Sequence, residues 1–271
     1  MGKIGRCKLT GATGRLVKAH IIPEALTRPT IAGQPFIQAG QRDRPIRRWT
    51  SWYDPNLVTS EGEALLAEYD NWGIAELRRL GLIWSANAND VAKQSDWNKI
   101  GQAGHGIRIM PYQNGDKLRL FLLSILWRAA ASQLPEFRQI RLPTRQIAKL
   151  GDMLISKKSS PYYIFPATII QLNGDGPRHN FTPLAGKKRL ASTENRFVRI
   201  FRFYLDGIAV HFHRDINIPQ WRSMGDLCIQ NGNQLSVITV PFEISLQNEI
   251  LERETSQVES DWGAILQRLT K

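Results

Sequence analysis

Cysteine is nearly missing: Cys7 and Cys228 are the only two in 271 residues. This excludes a disulfide framework and a four-cysteine zinc site, and it points to a reducing compartment, the cytoplasm. Long apolar runs are missing too. The most apolar stretch, LRLFLLSILWRAAA at 118–131, is too short to span a bilayer and contains Arg119 and Arg128. The opening MGKIGRCKL has no apolar core of a signal peptide, and Arg6 stands where N-myristoylation needs Ser or Thr. No membrane partner is expected. Acidic residues are scarce: 24 Asp and Glu face 36 Lys and Arg, giving a net charge of +12. That imbalance favours a polyanionic partner, nucleic acid ahead of a membrane surface, with a merely solvated basic face as the plain alternative. Disorder is excluded by the 42% hydrophobic content and eight Trp, which suffice for a sizeable core.

The spacing of apolar residues organises the chain. Residues 1–60 are short apolar pieces broken by Gly, Pro and Thr, and 27–53 reads as loop. Helical spacing runs over 61–80, through Leu65, Leu66, Tyr69, Ile74, Leu77 and Leu80, with Gly73 as a weak point. Residues 87–115 are polar and Gly-rich, read as loop with a short helix. Further helices are expected at 118–132 and about 144–155, and SKKSSP at 156–161 reads as a linker. Strand composition then begins at 162–172. RFVRIFRFYL-DG-IAVHFH, 196–213, predicts a hairpin with Asp206-Gly207 as a type I′ turn, and 236–244 predicts another strand. An amphipathic helix, locally acidic, is expected at 246–270.

Residues 7–26, CKLTGATGRLVKAHIIPEAL, hold two competing signals. TGATG at 10–14 resembles the phosphate turn of a dinucleotide fold. That fold needs a buried apolar strand first, yet Lys3, Arg6 and Lys8 occupy it. Val17 replaces the third glycine, Pro23 interrupts the following helix, and 25–42 contains no acidic ribose anchor. No NAD site is expected, and Gly11 and Gly14 read as turn residues of a hairpin.

AHIIP at 19–23 carries the other signal. With CKLTG before it and YDPNLVTSEGE at 53–63 after it, the segment from Cys7 to about Leu80 resembles the HNH, or ββα-metal, endonucleases. The resemblance implies a ββα finger and a divalent cation such as Mg²⁺, and it assigns three roles. His20 is the general base, Asn56 braces the loop that orients it, and Glu63 binds the metal on the first turn of the helix. It also implies a bacterial defence or mobile-element setting. Where the family has a four-cysteine zinc knuckle, this chain has Cys7, Thr10, Thr59 and Gly62, so no structural zinc is expected. Ala19 stands where many members have a second metal ligand, which leaves Glu24, Asp54 or Glu61 as candidate substitutes. A weaker likeness to some bacterial proteins, carried by FLLSILWRAAAS at 121–132, extends to about Arg141.

Outside the finger, Arg42, Arg44, Arg47 and Arg48 interleave with Trp49, Trp52 and Tyr53. That mixture suits phosphate contact with base stacking. Lys187, Lys188 and Arg189 form a second basic loop. His211 and His213 share one strand face, read as solvated; Cys228 reads as core; Asp70 and Asp90 find no partner in the sequence. The expected fold is α+β in three parts: an HNH-like finger with its helix at 1–84, a helical region at 85–160, and a β-rich region closed by a helix at 161–271. Two functions follow. One is a metal-dependent DNA endonuclease using His20. The other is a catalytically silent module that binds nucleic acid, DNA before RNA, or a protein partner through the C-terminal helix.

Overall fold

Short apolar pieces make short strands at the N-terminus. A computed structural model describes residues 3–27, 36–40, 43–86, 90–101, 104–174, 176–177, 179–189 and 197–269. Strands β1 (Ile4–Arg6) and β2 (Thr13–Arg15) form an antiparallel hairpin, turned by Gly11 at φ +74°. Gly14 lies within β2 opposite Gly5, not in the turn; a Cβ there would sit 3.2 Å from both Thr59 and Glu61. Strand β3 (Ala19–His20) pairs with a distant partner. Between the two lie β4 (Phe36–Gly40) and β5 (Asp43–Arg48), an antiparallel hairpin where the sequence reads as loop. The partner is β6 (Tyr53–Asp54), in register Ala19 to Asp54 and His20 to Tyr53.

Helix α1 (Ser60–Arg79) follows, with Glu61 and Glu63 in its first turn and Arg78 and Arg79 in its last, matching the helix dipole. Gly73 is where α1 meets the next helix: a Cβ there would lie 2.1 Å from the ring of Phe121. Strands β7 (Trp97–Lys99) and β8 (Gly106–Pro111) occupy the stretch read as loop. Gly-rich flanks hide β8 in the sequence, yet it buries Gly106, Arg108 and Met110 in alternation. Helix α2 (Gly115–Ala131) is capped by Asn114, whose side chain accepts from the Lys117 amide at 2.9 Å. Helix α3 (Thr144–Ile155) ends before the linker. Residues 162–166 form a turn, and the strand begins later, as β9 (Ala167–Asn173).

The segment GKKR, read as a basic loop, lies in β10 (Leu184–Arg189). The expected hairpin is β11 (Phe197–Leu205) and β12 (Ile208–His213), closed by Asp206 at φ +45° and Gly207 at φ +90°. A short helix α4 (Ile218–Ser223), strand β13 (Gln234–Pro241) and helix α5 (Leu246–Leu269) complete the chain; α5 leaves helical geometry at Trp262.

Seven strands form one mixed sheet in the order β10-β11-β12-β9-β13-β8-β7, antiparallel except between β9 and β13. The fold is thus α+β, and two of the sheet's strands come from the middle of the chain. One sheet face carries Phe201, Phe203, Val210, Phe212, Ile169 and Val237 into a core shared with α1, α2 and α3. Helix α2 is the centre of that core, buried on nearly every side. The opposite face carries Tyr204 and Leu172, which pack with Trp84, Phe181, Phe242 and Ile250 of α5. From there α5 runs against β5 and β4. Among the described residues no helix is long and apolar enough to cross a membrane.

Candidate functional site

Strand β3, strand β6 and the start of α1 set one site. Pairing with β6 fixes the backbone of His20, and Ile21 continues the ladder by donating to Trp52 O at 2.9 Å. The half-buried ring of His20 lies edge-on to Tyr53, centroids 6.3 Å apart, and its Nε2 is 3.2 Å from Thr50 Oγ1. Thr50 follows the β4–β5 hairpin directly, so the inserted hairpin returns to the chain beside this imidazole.

Beneath lies Arg128 of α2, fully buried. Its Nη1 donates to His20 O at 3.0 Å and to Asp70 Oδ2 at 2.9 Å, and its Nη2 donates to Asp70 Oδ1 at 2.5 Å and Ser124 Oγ at 3.0 Å. One guanidinium therefore ties α1, α2 and β3 together, in the bidentate geometry that suits Arg and carboxylate. Asp70 has a partner after all, one that lies 58 positions away in sequence. Asp90 pairs with Lys93 at 2.7 Å.

Glu63 sits on the first turn of α1, and its Oε2 is buried with no hydrogen-bond partner. Burial raises its carboxyl above the ordinary range; Arg128 opposes that shift and Asp70 adds to it. Burial lowers the His20 pKa, with Glu24 opposing, Arg128 adding and Asp70 opposing. The same two charges, Arg128 and Asp70, act on both His20 and Glu63, so these four side chains share one neighbourhood. Burial thus favours the neutral form of both the imidazole and the carboxyl.

Asn56 lies elsewhere. It is exposed, and its Oδ1 accepts from Lys3 Nζ at 3.0 Å. Buried Asp54 braces the loop: its Oδ1 accepts from the Asn56 amide at 2.9 Å and its Oδ2 from Ser132 Oγ at 3.0 Å. Asp54, read in the sequence only as a substitute metal ligand, braces the loop instead, and Arg128 is the residue that the sequence reading missed. Asp54 stood inside the quoted motif; Arg128 carried only the weak signal of a charge inside the most apolar run.

The four knuckle positions meet in space. The Cys7 sulfur lies 3.5 Å from the Thr10 amide, and a Cβ on Gly62 would stand 2.6 Å from it. Burial pushes the Cys7 thiol up, but hydrogen bonds from Thr10, Thr59 and Leu9 outweigh it and bring the pKa below its usual value. Thr59 Oγ1 is buried there without a partner.

The basic residues divide. Arg42 lies outside the described residues, and Arg44 is placed only by its position on β5. Arg47 is exposed, and Trp49 beside it is 65% exposed. Arg48 is committed to Glu136 at 3.5 Å, and Trp52 is buried edge-on against Phe137. On β10, Lys187 and Arg189 are exposed, with the Arg189 guanidinium 5.5 Å from the Phe197 ring centroid. Strand alternation turns Lys188 the other way, half-buried. His211 and His213, read as a solvated pair, are buried, at 4% and 0% exposure. The covering comes from elements distant in sequence, α5 among them, which strand alternation cannot reveal. Cys228 is buried, and burial pushes its thiol up to about 12.

Among the described residues no group of three or more His, Cys, Asp or Glu stands close enough to hold a metal ion. The unpartnered Glu63 oxygen still fits a hard cation in one way. Mg²⁺ is commonly held by one or two carboxylates, with substrate phosphates and water completing its shell. Comparison with family models, with curated proteins and with solved structures finds no match for this chain.

Proposed function

We propose that the His20–Glu63 site belongs to an HNH-like, divalent-cation-assisted DNA endonuclease. The observation that carries this reading is a strand-fixed imidazole and a buried carboxylate oxygen with no hydrogen-bond partner among the described residues, both acted on by Arg128 and Asp70. A buried acceptor without a partner is costly, and a cation at Glu63 removes that cost. The convergence of Cys7, Thr10, Thr59 and Gly62 supports the same reading, because packing and hydrogen bonds there join β1–β2 to α1 where relatives of the finger use zinc.

In this reading DNA lies along the β4–β5 hairpin, with Arg47 on phosphate and Trp49 on a base. With Nε2–H donating to Thr50 Oγ1, the lone pair on His20 Nδ1 takes the proton of the attacking water, which requires the neutral ring that burial favours. Thr50 and the edge of Tyr53 hold the ring plane, and Arg128 holds its backbone. When bound, the cation would stabilise charge on the leaving oxygen, held by Glu63 and the phosphate itself. A bacterial defence or mobile-element role accompanies the resemblance.

A second reading is a silent module that binds nucleic acid or a protein partner. Arg128 favours it: its buried guanidinium already supplies a fixed positive charge that acts on both His20 and Glu63. Plasmid cleavage with Mg²⁺, Mn²⁺ or EDTA decides between the two. Wild type should nick or linearise DNA only with the cation. His20→Ala should lose about 100-fold or more in rate while keeping melting temperature and DNA affinity, because a general base acts in the transition state. Glu63→Gln should shift the cation requirement to higher concentration. DNA left intact by wild type under every cation would leave the silent module as the answer.

A further inference from the structure

We propose that the sheet face opposite α2 holds a binding site for a small phosphate dianion, free or as the end of a nucleotide, built by Arg202, Lys188, His211 and His213. Strand register brings these residues together. Arg202 on β11 stands directly across from His211 on β12, and Ile200 stands across from His213. Leu184, Gly186 and Lys188 on β10 face the same way, because Leu184 pairs with Arg202, Gly186 with Ile200 and Lys188 with Val198.

The cluster is cationic and, among the described residues, has no counter-charge. Arg202 is 7% exposed. Among the described residues neither Arg202 nor Lys188 forms an ion pair, and no carboxylate acts on either; Tyr204 acts on Arg202, and Arg202 and the Cys228 thiol act on Lys188. Buried charges are ordinarily paired. Lys188 in turn acts on both histidines.

The cluster also has donors to spare. Arg202 Nη1 is 3.0 Å from His211 Nε2, and Nη2 donates to Gln247 Oε1 at 3.2 Å. A guanidinium only donates, so His211 Nε2 accepts. The neutral ring then carries its proton on Nδ1, which is buried with no acceptor. Arg202 Nε is buried without a partner as well. His213 Nε2 lies 3.3 Å from Thr168 Oγ1, and its Nδ1 is unpartnered. Cations and N–H donors without acceptors are what a phosphate dianion satisfies, and a metal ion is repelled by the same set.

A way in is present. Gly186 is exposed, and a Cβ there would meet only Ile200 Cγ1, at 3.9 Å. The missing side chain leaves the sheet open beside Lys188, whose flexible stem can swing to admit and then cover a ligand.

The test uses the full chain in phosphate-free buffer at fixed ionic strength. Inorganic phosphate and adenosine 5′-monophosphate are titrated by calorimetry and by melting temperature, with chloride as control. Wild type should bind millimolar or weaker phosphate with a saturating rise in melting temperature. Lys188→Met and Gly186→Val should fold as wild type and lose that saturating part. Arg202→Met should lose it too, but Lys188→Met is the deciding variant because Lys188 is less buried than Arg202. If the monophosphate saturates at lower concentration and phosphate competes with it, the source is a nucleotide; equal affinities mean the free anion. No saturable response to either probe, or the same response in Lys188→Met, would overturn the site.

Discussion

Arg128 holds the His20 neighbourhood in place, and the reason is its position rather than its charge alone. It is fully buried, it meets Asp70 through both carboxylate oxygens, and it supports the carbonyl of His20. Removing one partner of a buried pair leaves the other charged and unpaired, which costs about 3–5 kcal/mol. Arg128→Met should therefore lower unfolding free energy by roughly 3 kcal/mol, and the double change with Asp70→Asn should recover part of it. Denaturant melts of the two single variants and the double variant measure the coupling. Simple additivity would show that the pair is not acting as one unit. Lysine is no substitute here, because an ammonium cannot bridge Asp70, Ser124 and His20 in one plane. The sequence gives little sign of this. His20 and Glu63 stood within recognisable motifs, whereas Asp70 and Arg128 are identified only by where two helices cross. That crossing depends on Gly73, read as a weak point, where the absent side chain admits Phe121.

Elements were more legible than sites. The apolar spacing over 61–80 is α1, the apolar run at 118–131 is most of α2, and Asp206-Gly207 closes its hairpin in the expected left-handed geometry. Strands β4, β5, β7 and β8 were not legible, because they are short and their support comes from far along the chain: the β4–β5 hairpin lies against α5, and β8, paired with β7, takes β13 on its other side. Helix α5 was expected to cover its apolar stripe on the basic body of the protein or on a partner subunit, and within the chain it lies against β5 and β4. It carries Glu249, Glu252, Glu254, Glu259 and Asp261 against Arg253 and Arg268. An acidic helix beside the hairpin of Arg44, Arg47 and Arg48 weakens attraction for phosphate there. Glu252, Glu259 and Asp261 are exposed, so neutralising them should leave folding unchanged. The triple variant Glu252→Gln, Glu259→Gln, Asp261→Asn should bind duplex DNA several-fold more tightly at low salt, with the difference vanishing as salt is raised. Fluorescence anisotropy across a salt series reads both quantities. Unchanged affinity at every salt concentration would mean that DNA does not use this hairpin.

At the scale of the whole molecule, the +12 charge and the buried histidines set the response to acid. Lowering the pH adds positive charge to a chain already rich in it, which favours expansion through self-repulsion. His213 adds a local reason. It is fully buried, and burial together with Lys188 lowers its pKa from 6.5 to about 4. Burial, Arg202, Lys188 and His213 push His211 in the same direction. A histidine whose folded pKa is depressed contributes stability that is fully present above 6.5 and lost as the pH falls toward the folded value, because the unfolded chain takes up the proton first. For His213 that window runs from 6.5 down to about 4, and the loss across it is roughly 3 kcal/mol. The consequence reaches beyond one side chain. Arg202 links His211 to Gln247 at the start of α5, and Gln247 in turn lies 2.9 Å from the His179 ring, so charging this seam loosens α5 from the sheet. Unfolding free energy measured at fixed ionic strength should fall steadily between pH 6.5 and 4. His213→Gln, which cannot take up the proton, should flatten the slope while His211 keeps the remainder. If the two proteins lose stability in parallel over that range, the acid response belongs to carboxylates elsewhere in the molecule and not to the histidine seam.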